Sequence, residues 1–305
     1  MTLQKAILAT LAYHDIFDYP LTSEEIQKYL VEKKATFASA KNGIDQLVRE
    51  RKVGSLDGYF FLKGRKKIVA FRKKRQKYSK TKLKKAFFFA KILKAVPTLK
   101  LVAVSGALAM ENSHKDDDID LVLISAKRTI WTTRFIANVL LLTFKRDPKG
   151  EKVSNRACLN VFIDQSDLKI GSPSLYLAHE ICQMKPLWDR DGTYQKFLKA
   201  NQWVKKFLPN WEPNVERLTT NDKRKRSSKA LVLERSALVI QPLEALAKWG
   251  QLWYMRPKIT AERIEDTQLF FHPQDTQKMV FDKYQKRLQN VLVQNEQSRK
   301  SQSSC

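Results

Sequence analysis

The chain has 305 residues, enough for two or three packed domains rather than one small core. An apolar fraction of 43% marks a folding sequence and excludes a disordered one. The formal net charge of +26 favours anionic partners: nucleic acid, nucleotides or an acidic membrane surface. The first residues lack the pattern of a secretory signal. Three scattered cysteines, Cys158, Cys182 and Cys305, form no metal-ligand spacing and suit a reducing, cytoplasmic compartment. Two apolar stretches, residues 130–144 and 237–255, read as amphipathic or buried helices. The first is too short for a membrane span and carries Arg134; the second is broken by Pro242, Glu244, Lys248 and Gly250. No membrane partner is expected.

Residues 1–64 read as one unit. Leu3, Ile7, Leu8 and Leu11 recur at helical spacing, and Thr22 with Glu25 forms a capping box opening a second helix that carries Ile26, Tyr29 and Leu30. A third helix over residues 38–50 sets Ile44, Leu47 and Val48 on one face, and Asp57-Gly58 between apolar runs predicts a two-residue hairpin. Three helices followed by a hairpin resemble winged helix-turn-helix domains. That resemblance implies either groove contacts through Lys41, Asn42, Gln46 and Arg49 or a protein-interaction role, and both stay open.

Residues 65–96 are predicted to be a basic linker helix. Positions 63–94 are dense in lysine and arginine, and no acid falls between Asp57 and Glu111. The run is compatible with a solvated linker and with a stripe that follows a nucleic-acid backbone, because an amphipathic helix has two faces.

Residues 97–170 change character. Residues 99–104 form an apolar, β-branched strand, Gly106 breaks it, a short helical stretch (107–111) and a polar loop (112–117) follow, and residues 118–124 form a second buried strand. Side chains two apart on a strand share a face, so Asp118 and Asp120 project together and repel unless a cation lies between them. Magnesium takes carboxylate and phosphate oxygens. Backbone N–H groups where a strand turns into a helix suit a phosphate. This segment resembles the DNA polymerase β-like nucleotidyltransferase superfamily, in its minimal and antibiotic-modifying branch. Gly106 opens the motif, and Asp118 and Asp120 follow at twelve and fourteen residues.

The resemblance implies a mixed sheet with flanking helices, Mg2+ or Mn2+ on Asp118 and Asp120, and a nucleoside triphosphate held by Ser105, Gly106, Ala107 and Arg134, with Lys127 a further phosphate candidate. There are two departures. The residue after the glycine is Ala107 where the family commonly has serine, the hydroxyl sitting instead at Ser105. The position of the third family acid falls on the strand 157–164, where Asn160 matches best and Asp164, on the same face by alternation, is the substitute if the register differs. An amide coordinates a metal but does not accept a proton usefully. The histidines are weaker candidates: His114 reads as a solvated loop residue, and His179 with Glu180 as a packed or capping pair.

Residues 171–293 read as an all-helical domain. Helix starts are expected near residue 172 and at Phe270, with further helices around Trp203 and over 231–255; residues 221–229 read as a basic loop and 294–305 as a disordered tail. The fold class is therefore α+β: a winged helix, a nucleotidyltransferase sheet and a helical domain. The expected function is magnesium-dependent transfer of a nucleoside monophosphate from a nucleoside triphosphate to an unidentified acceptor. The alternative is a nucleotidyltransferase fold of weak or lost activity that binds nucleic acid through the winged helix and the basic helix.

Overall fold

Threonines open the first three helices. The computed structural model describes residues 1–147, 153–213, 237–256, 262–271 and 276–302. In helices α1 (Leu3–Asp15), α2 (Ser23–Lys28) and α3 (Phe37–Arg49), the hydroxyls of Thr2, Thr22 and Thr36 accept the backbone N–H of Lys5, Glu25 and Ser39. The capping box at Thr22 is complete, its own N–H donating to Glu25 at 2.9 Å. Strands β1 (Val53–Leu56) and β2 (Tyr59–Leu62) pair antiparallel, with Leu56 opposite Tyr59. Asp57 and Gly58 both take positive φ, 52° and 77°, as the right-handed twist of the flanking strands requires. Ile7, Leu11, Ile26, Ile44, Leu47 and Val53 pack into one core beneath them.

The basic run folds as α4 (Ile68–Leu93), and its charges divide between two faces. Arg72, Arg75 and Lys82 are buried. Arg72 donates to both Glu25 oxygens at 2.7 Å and lies 4.1 Å from the Tyr19 ring and 4.7 Å from that of Tyr59. Arg75 donates to the Phe17 carbonyl at 3.0 Å and to the Asn112 side chain at 3.2 Å. The Lys82 ammonium donates to the carbonyls of Lys115 at 3.0 Å and Asp117 at 2.5 Å. Lys74, Lys77, Lys80, Lys84, Lys85 and Lys91 remain exposed. The helix is thus a strut bolted to the N-terminal unit at one end and to the loop 112–117 at the other.

The rest of the chain builds a six-stranded mixed sheet in the order β6-β3-β4-β5-β8-β7, from β3 (Leu99–Val104), β4 (Ile119–Ser125), β5 (Ala157–Asp164), β6 (Lys185–Asp189), β7 (Arg263–Ile264) and β8 (Gln268–Phe270). Only β4 and β5 run parallel; the other pairs are antiparallel. One face carries α4, α6 (Ile130–Leu140) and α9 (Ala237–Met255), whose Phe89, Trp131 and Met255 share a core with Leu121 and Leu123. The other carries α7 (Leu175–Gln183) and α8 (Thr193–Ala200), whose Ile181 and Phe197 pack on Val122 and Ile124. The molecule is mixed α and β with a mixed sheet and flanking helices. Among the described residues no helix is long and apolar enough to cross a membrane.

Three expectations for the C-terminal region are corrected. It is not all-helical, because β6, β7 and β8 complete both edges of the sheet. These strands are two to five residues long and lie at or next to the edges, too short for alternation to register in the sequence. Phe270 ends β8 rather than starting a helix; the last helix, α10, spans Thr276–Gln302. It therefore runs through most of the expected tail, since Gln, Glu, Lys and Arg without Gly or Pro are good helix formers. The expected basic loop 221–229 lies outside the described residues.

The N-terminal unit is joined to the sheet through a buried aromatic cluster. The Tyr13 ring stacks on His179 of α7 at 4.0 Å, and His14 meets the same imidazole edge-on at 4.9 Å. Burial lowers the His14 pKa to about 4 and pushes that of His179 well below its usual value, so both imidazoles pack as neutral rings. Val280 and Tyr284 of α10 enter the N-terminal core from the other side.

Removing one member of a buried ion pair strands the other charge. Arg72→Ala is expected to cost about 3 kcal/mol, read as a lower urea midpoint. Lys74→Ala, on the exposed face, should stay within about 0.5 kcal/mol of the parent.

Candidate functional site

Strand β4 is buried on both faces, with Ile119, Leu121 and Leu123 entering one core and Val122 and Ile124 the other. Asp120 projects on the side of Val122, and Asp118, immediately before the strand, on that same side. One ligand atom each from Asp118, Asp120 and Cys158 lies within 4.8 Å of the other two. Like charges this close repel, and two neighbours offset the repulsion. Arg146 donates to Asp118 at 2.9 Å, and the Asn160 amide donates to Asp120. Burial, then the Asp118 charge, raises the Asp120 pKa to about 7.

The loop that launches Asp118 is built rather than merely solvated. The Asn112 amide donates to the Phe17 carbonyl at 2.9 Å, and the Ser113 N–H to Ser79 of α4 at 3.1 Å. The His114 N–H donates to Asp117 at 2.7 Å, while Lys82 holds two carbonyls from below. The inward face of the basic helix thus positions the start of β4.

On β5 the register slips between Leu121↔Leu159 and Val122↔Val161, which leaves Asn160 as the extra residue of a bulge. The expected strict alternation fails there: Leu159 packs with Phe162 on one face, Val161 with Ile163 on the other. The bulge turns the Asn160 amide onto Asp120. Asp164 is not part of the site. The parallel register sets Cys158 opposite Asp120 and Asp164 opposite Ser125, at the far end of the strand. There Asp164 is buried and accepts from the Ser166 N–H and hydroxyl at 2.9 and 2.6 Å and from the Thr129 N–H at 3.3 Å, anchoring turns.

Gly106 begins the short helix α5 (Gly106–Ala109) at φ +58°, a conformation that favours glycine. A Cβ there would lie 3.4 Å from the Asp120 carboxylate, so the turn packs directly against the acid. The Ser105 N–H donates to the Asp120 carbonyl at 3.3 Å, and Ala107 is exposed beside it. The Glu180 carboxyl group of α7 lies beside the Gly106 backbone; burial raises its pKa to about 7, and the Gly106 N–H opposes the rise. A protein carboxyl group therefore lies next to the backbone group expected to meet a phosphate.

Arg134 is a second correction. It is half-buried, donates to Gln251 of α9, and lies 4.5 Å from the Phe271 ring. These partners hold it on α6, on the opposite side of the sheet from Asp120. The arginine that meets the aspartates is Arg146, which sequence reasoning missed: it lies in no periodic segment, and the pairing of its N–H with the Ala157 carbonyl at 3.0 Å brings it to Asp118. Glu180 was legible only as the partner of His179 in a packed or capping pair. A concavity of about 230 Å³ between α7 and α10, lined by Tyr13, Tyr176, Val280 and Tyr284, does not include the aspartates.

The donor set fits a hard divalent cation. Two carboxylates offer oxygens, and rotation of the Asn160 amide exchanges its NH2 for a third. Cys158 contributes little to such an ion: sulfur is soft, and burial followed by the two aspartates pushes its thiol pKa up, keeping it protonated. Cys158 instead donates to Asn160 at 2.8 Å. No family model, curated protein or solved structure matches the chain.

The raised pKa of Asp120 sets two expectations. The folded chain binds this proton more tightly than the unfolded chain, so without metal Asp120 destabilises increasingly as pH rises from about 4 to about 7. Asp120→Asn should therefore raise the melting temperature at pH 8 without metal and change it little at pH 4. Millimolar Mg2+ or Mn2+ should raise the parent's melting temperature at pH 8, far less at pH 5.5, and not that of Asp120→Asn, because the metal must displace the proton.

Proposed function

We propose that this chain is a magnesium- or manganese-dependent nucleotidyltransferase of the DNA polymerase β-like kind, carrying an N-terminal winged-helix unit. The observation that carries the reading is the convergence of Asp118 and Asp120 beside the left-handed Gly106 turn, on adjacent antiparallel strands. Hairpin geometry and the preceding three helices support the winged-helix part.

In this reading Asp118 and Asp120 hold the cation against the phosphates of a nucleoside triphosphate. When bound, the metal neutralises charge on the α-phosphoryl group and the leaving pyrophosphate. Arg146, paired with Asp118 at 2.9 Å, would be the cation at hand for phosphate oxygens were that carboxylate to hold the metal. Asn160 fixes the orientation of Asp120. Glu180 leaves the Gly106 N–H free for an anion. With a pKa of about 7 it is also poised to take a proton from an attacking hydroxyl, the role in which an amide at position 160 is poor.

The test is incubation of the full chain with α-labelled nucleoside triphosphates and Mg2+ or Mn2+, scoring pyrophosphate release. Asp118→Asn and Asp120→Asn should each lower turnover at least about 100-fold, and Glu180→Gln should lower it and flatten the rise of rate near pH 7. Absence of both turnover and metal-dependent nucleotide binding overturns the enzyme.

The second reading, a fold of reduced activity serving nucleic-acid binding, is favoured by one specific feature. Each group the chemistry would use is already engaged within the chain: Asp118 by Arg146, Asp120 by Asn160 and Gly106 by Glu180. In that reading Lys41, Asn42, Gln46 and Arg49, all exposed on α3, and the exposed lysines of α4 meet the polyanion. Metal-independent binding of a DNA duplex, lost in Lys41→Glu/Arg49→Glu, would favour it.

A further inference from the structure

Helices α4, α6 and α9 form the layer over one face of the sheet. An outer helical layer normally turns polar and charged side chains to water. Here the outer side of α6 and α9 is largely apolar, and α4 adds exposed aromatic rings among its outward lysines. On α9, Leu246, Trp249 and Trp253 are 64%, 68% and 70% exposed, with Leu243 and Tyr254 beside them. On α6, Phe135 and Val139 are 55% and 56% exposed, and Leu142 just past its end 73%. Phe87 and Phe88 of α4 are also exposed, and the Phe88 ring meets Phe144 edge-on at 5.5 Å, joining the α4 aromatics to the segment after α6. A contiguous apolar surface of this kind marks a site of association.

Two features define what covers it. The first is its composition. Tryptophan and tyrosine among leucine and phenylalanine are the side chains that settle at the boundary between headgroups and acyl chains. The second is charge. Helices α4 and α6 contain no acidic residue, and the only acid on α9, Glu244, accepts the N–H groups of Trp131 and Thr132 at 2.7 and 2.8 Å. Nearby Asp266 is paired with Lys248 at 2.7 Å. Exposed Lys84, Lys85 and Lys91 flank Phe87 and Phe88. Exposed Arg256 follows α9. A second copy of the chain would set these cations against each other, whereas an anionic bilayer offers an apolar interior beneath negative headgroups.

We propose that the α4–α6–α9 face seats the protein on an anionic lipid bilayer, with α9 and α6 in the interfacial plane. No span is implied; the association is peripheral, and it departs from the expectation that no membrane engages the chain. Asp118 and Asp120 project from the other side of the sheet, so the attachment leaves that site open, and the proposal stands independently of the nucleotidyltransferase reading.

The experiment is flotation of the full chain with vesicles of phosphatidylcholine alone and with roughly 30% phosphatidylglycerol. Binding is expected to the anionic vesicles and not to the neutral ones. Trp249→Ser/Trp253→Ser should lower the bound fraction at least about 10-fold with an unchanged circular dichroism spectrum, since both rings already face solvent. Lys84→Glu/Lys85→Glu should weaken binding in the same assay. Three outcomes overturn the proposal: no flotation with anionic vesicles while polyuridylate is retained, equal flotation of the tryptophan variant, or a dimer in solution that the tryptophan variant dissociates.

Discussion

The burial of β4 on both faces is the constraint on which the rest of the molecule turns. A strand with cores on either side has no room for charge along its length, so its acids can stand only at its ends. Asp118 and Asp120 occupy the start, where β3 finishes and β5 begins, and everything nearby exists to make their closeness tolerable. Arg146 screens one, the bulged Asn160 holds the other, and Gly106 supplies the left-handed turn that sets the end of β3 against Asp120. Sites that keep unfavourable charge together in this way are where ligand binding is most easily coupled to proton release.

The same logic explains the split character of the basic helix. Its inward cations are structural: Arg72 closes the N-terminal unit over Glu25, and Lys82 holds the loop that delivers Asp118. Its outward cations are free of that duty, and toward its C-terminal end they border a face of exposed aromatic rings. One element thus links the N-terminal unit, the acidic site and the apolar outer layer. A displacement of the N-terminal unit would reach the loop before Asp118 through Arg75 and Asn112, both tied to Phe17, and through Ser79 and Lys82 of the helix.

Glu180, read from the sequence only as part of a packed or capping pair with His179, is informative in the fold. Its backbone lies on a helix that packs against the sheet, next to His179 of the aromatic junction, yet its carboxyl group reaches Gly106. The chain therefore places a carboxyl group of its own beside the Gly106 N–H. This is compatible with an acid of adjusted pKa waiting for substrate, or with a site closed upon itself.

Much was determined by the sequence alone, because local rules act over a few residues. The capping box at Thr22, the Asp57-Gly58 hairpin, the strands around Gly106 and the pairing of Asp118 with Asp120 on one side all follow from spacing that backbone geometry enforces. What tertiary structure decided was whatever depended on register and on distant partners. A single-residue bulge at Asn160 undid strict alternation on β5, and the parallel register with β4 sent Asp164 to the far end. Short strands from the C-terminal third completed a sheet whose edges carry too few residues to show a period. Arg134 faces α9 while Arg146 meets Asp118, because which cation reaches a carboxylate depends on how helices and loops dock around the sheet, and no repeat in the chain encodes that.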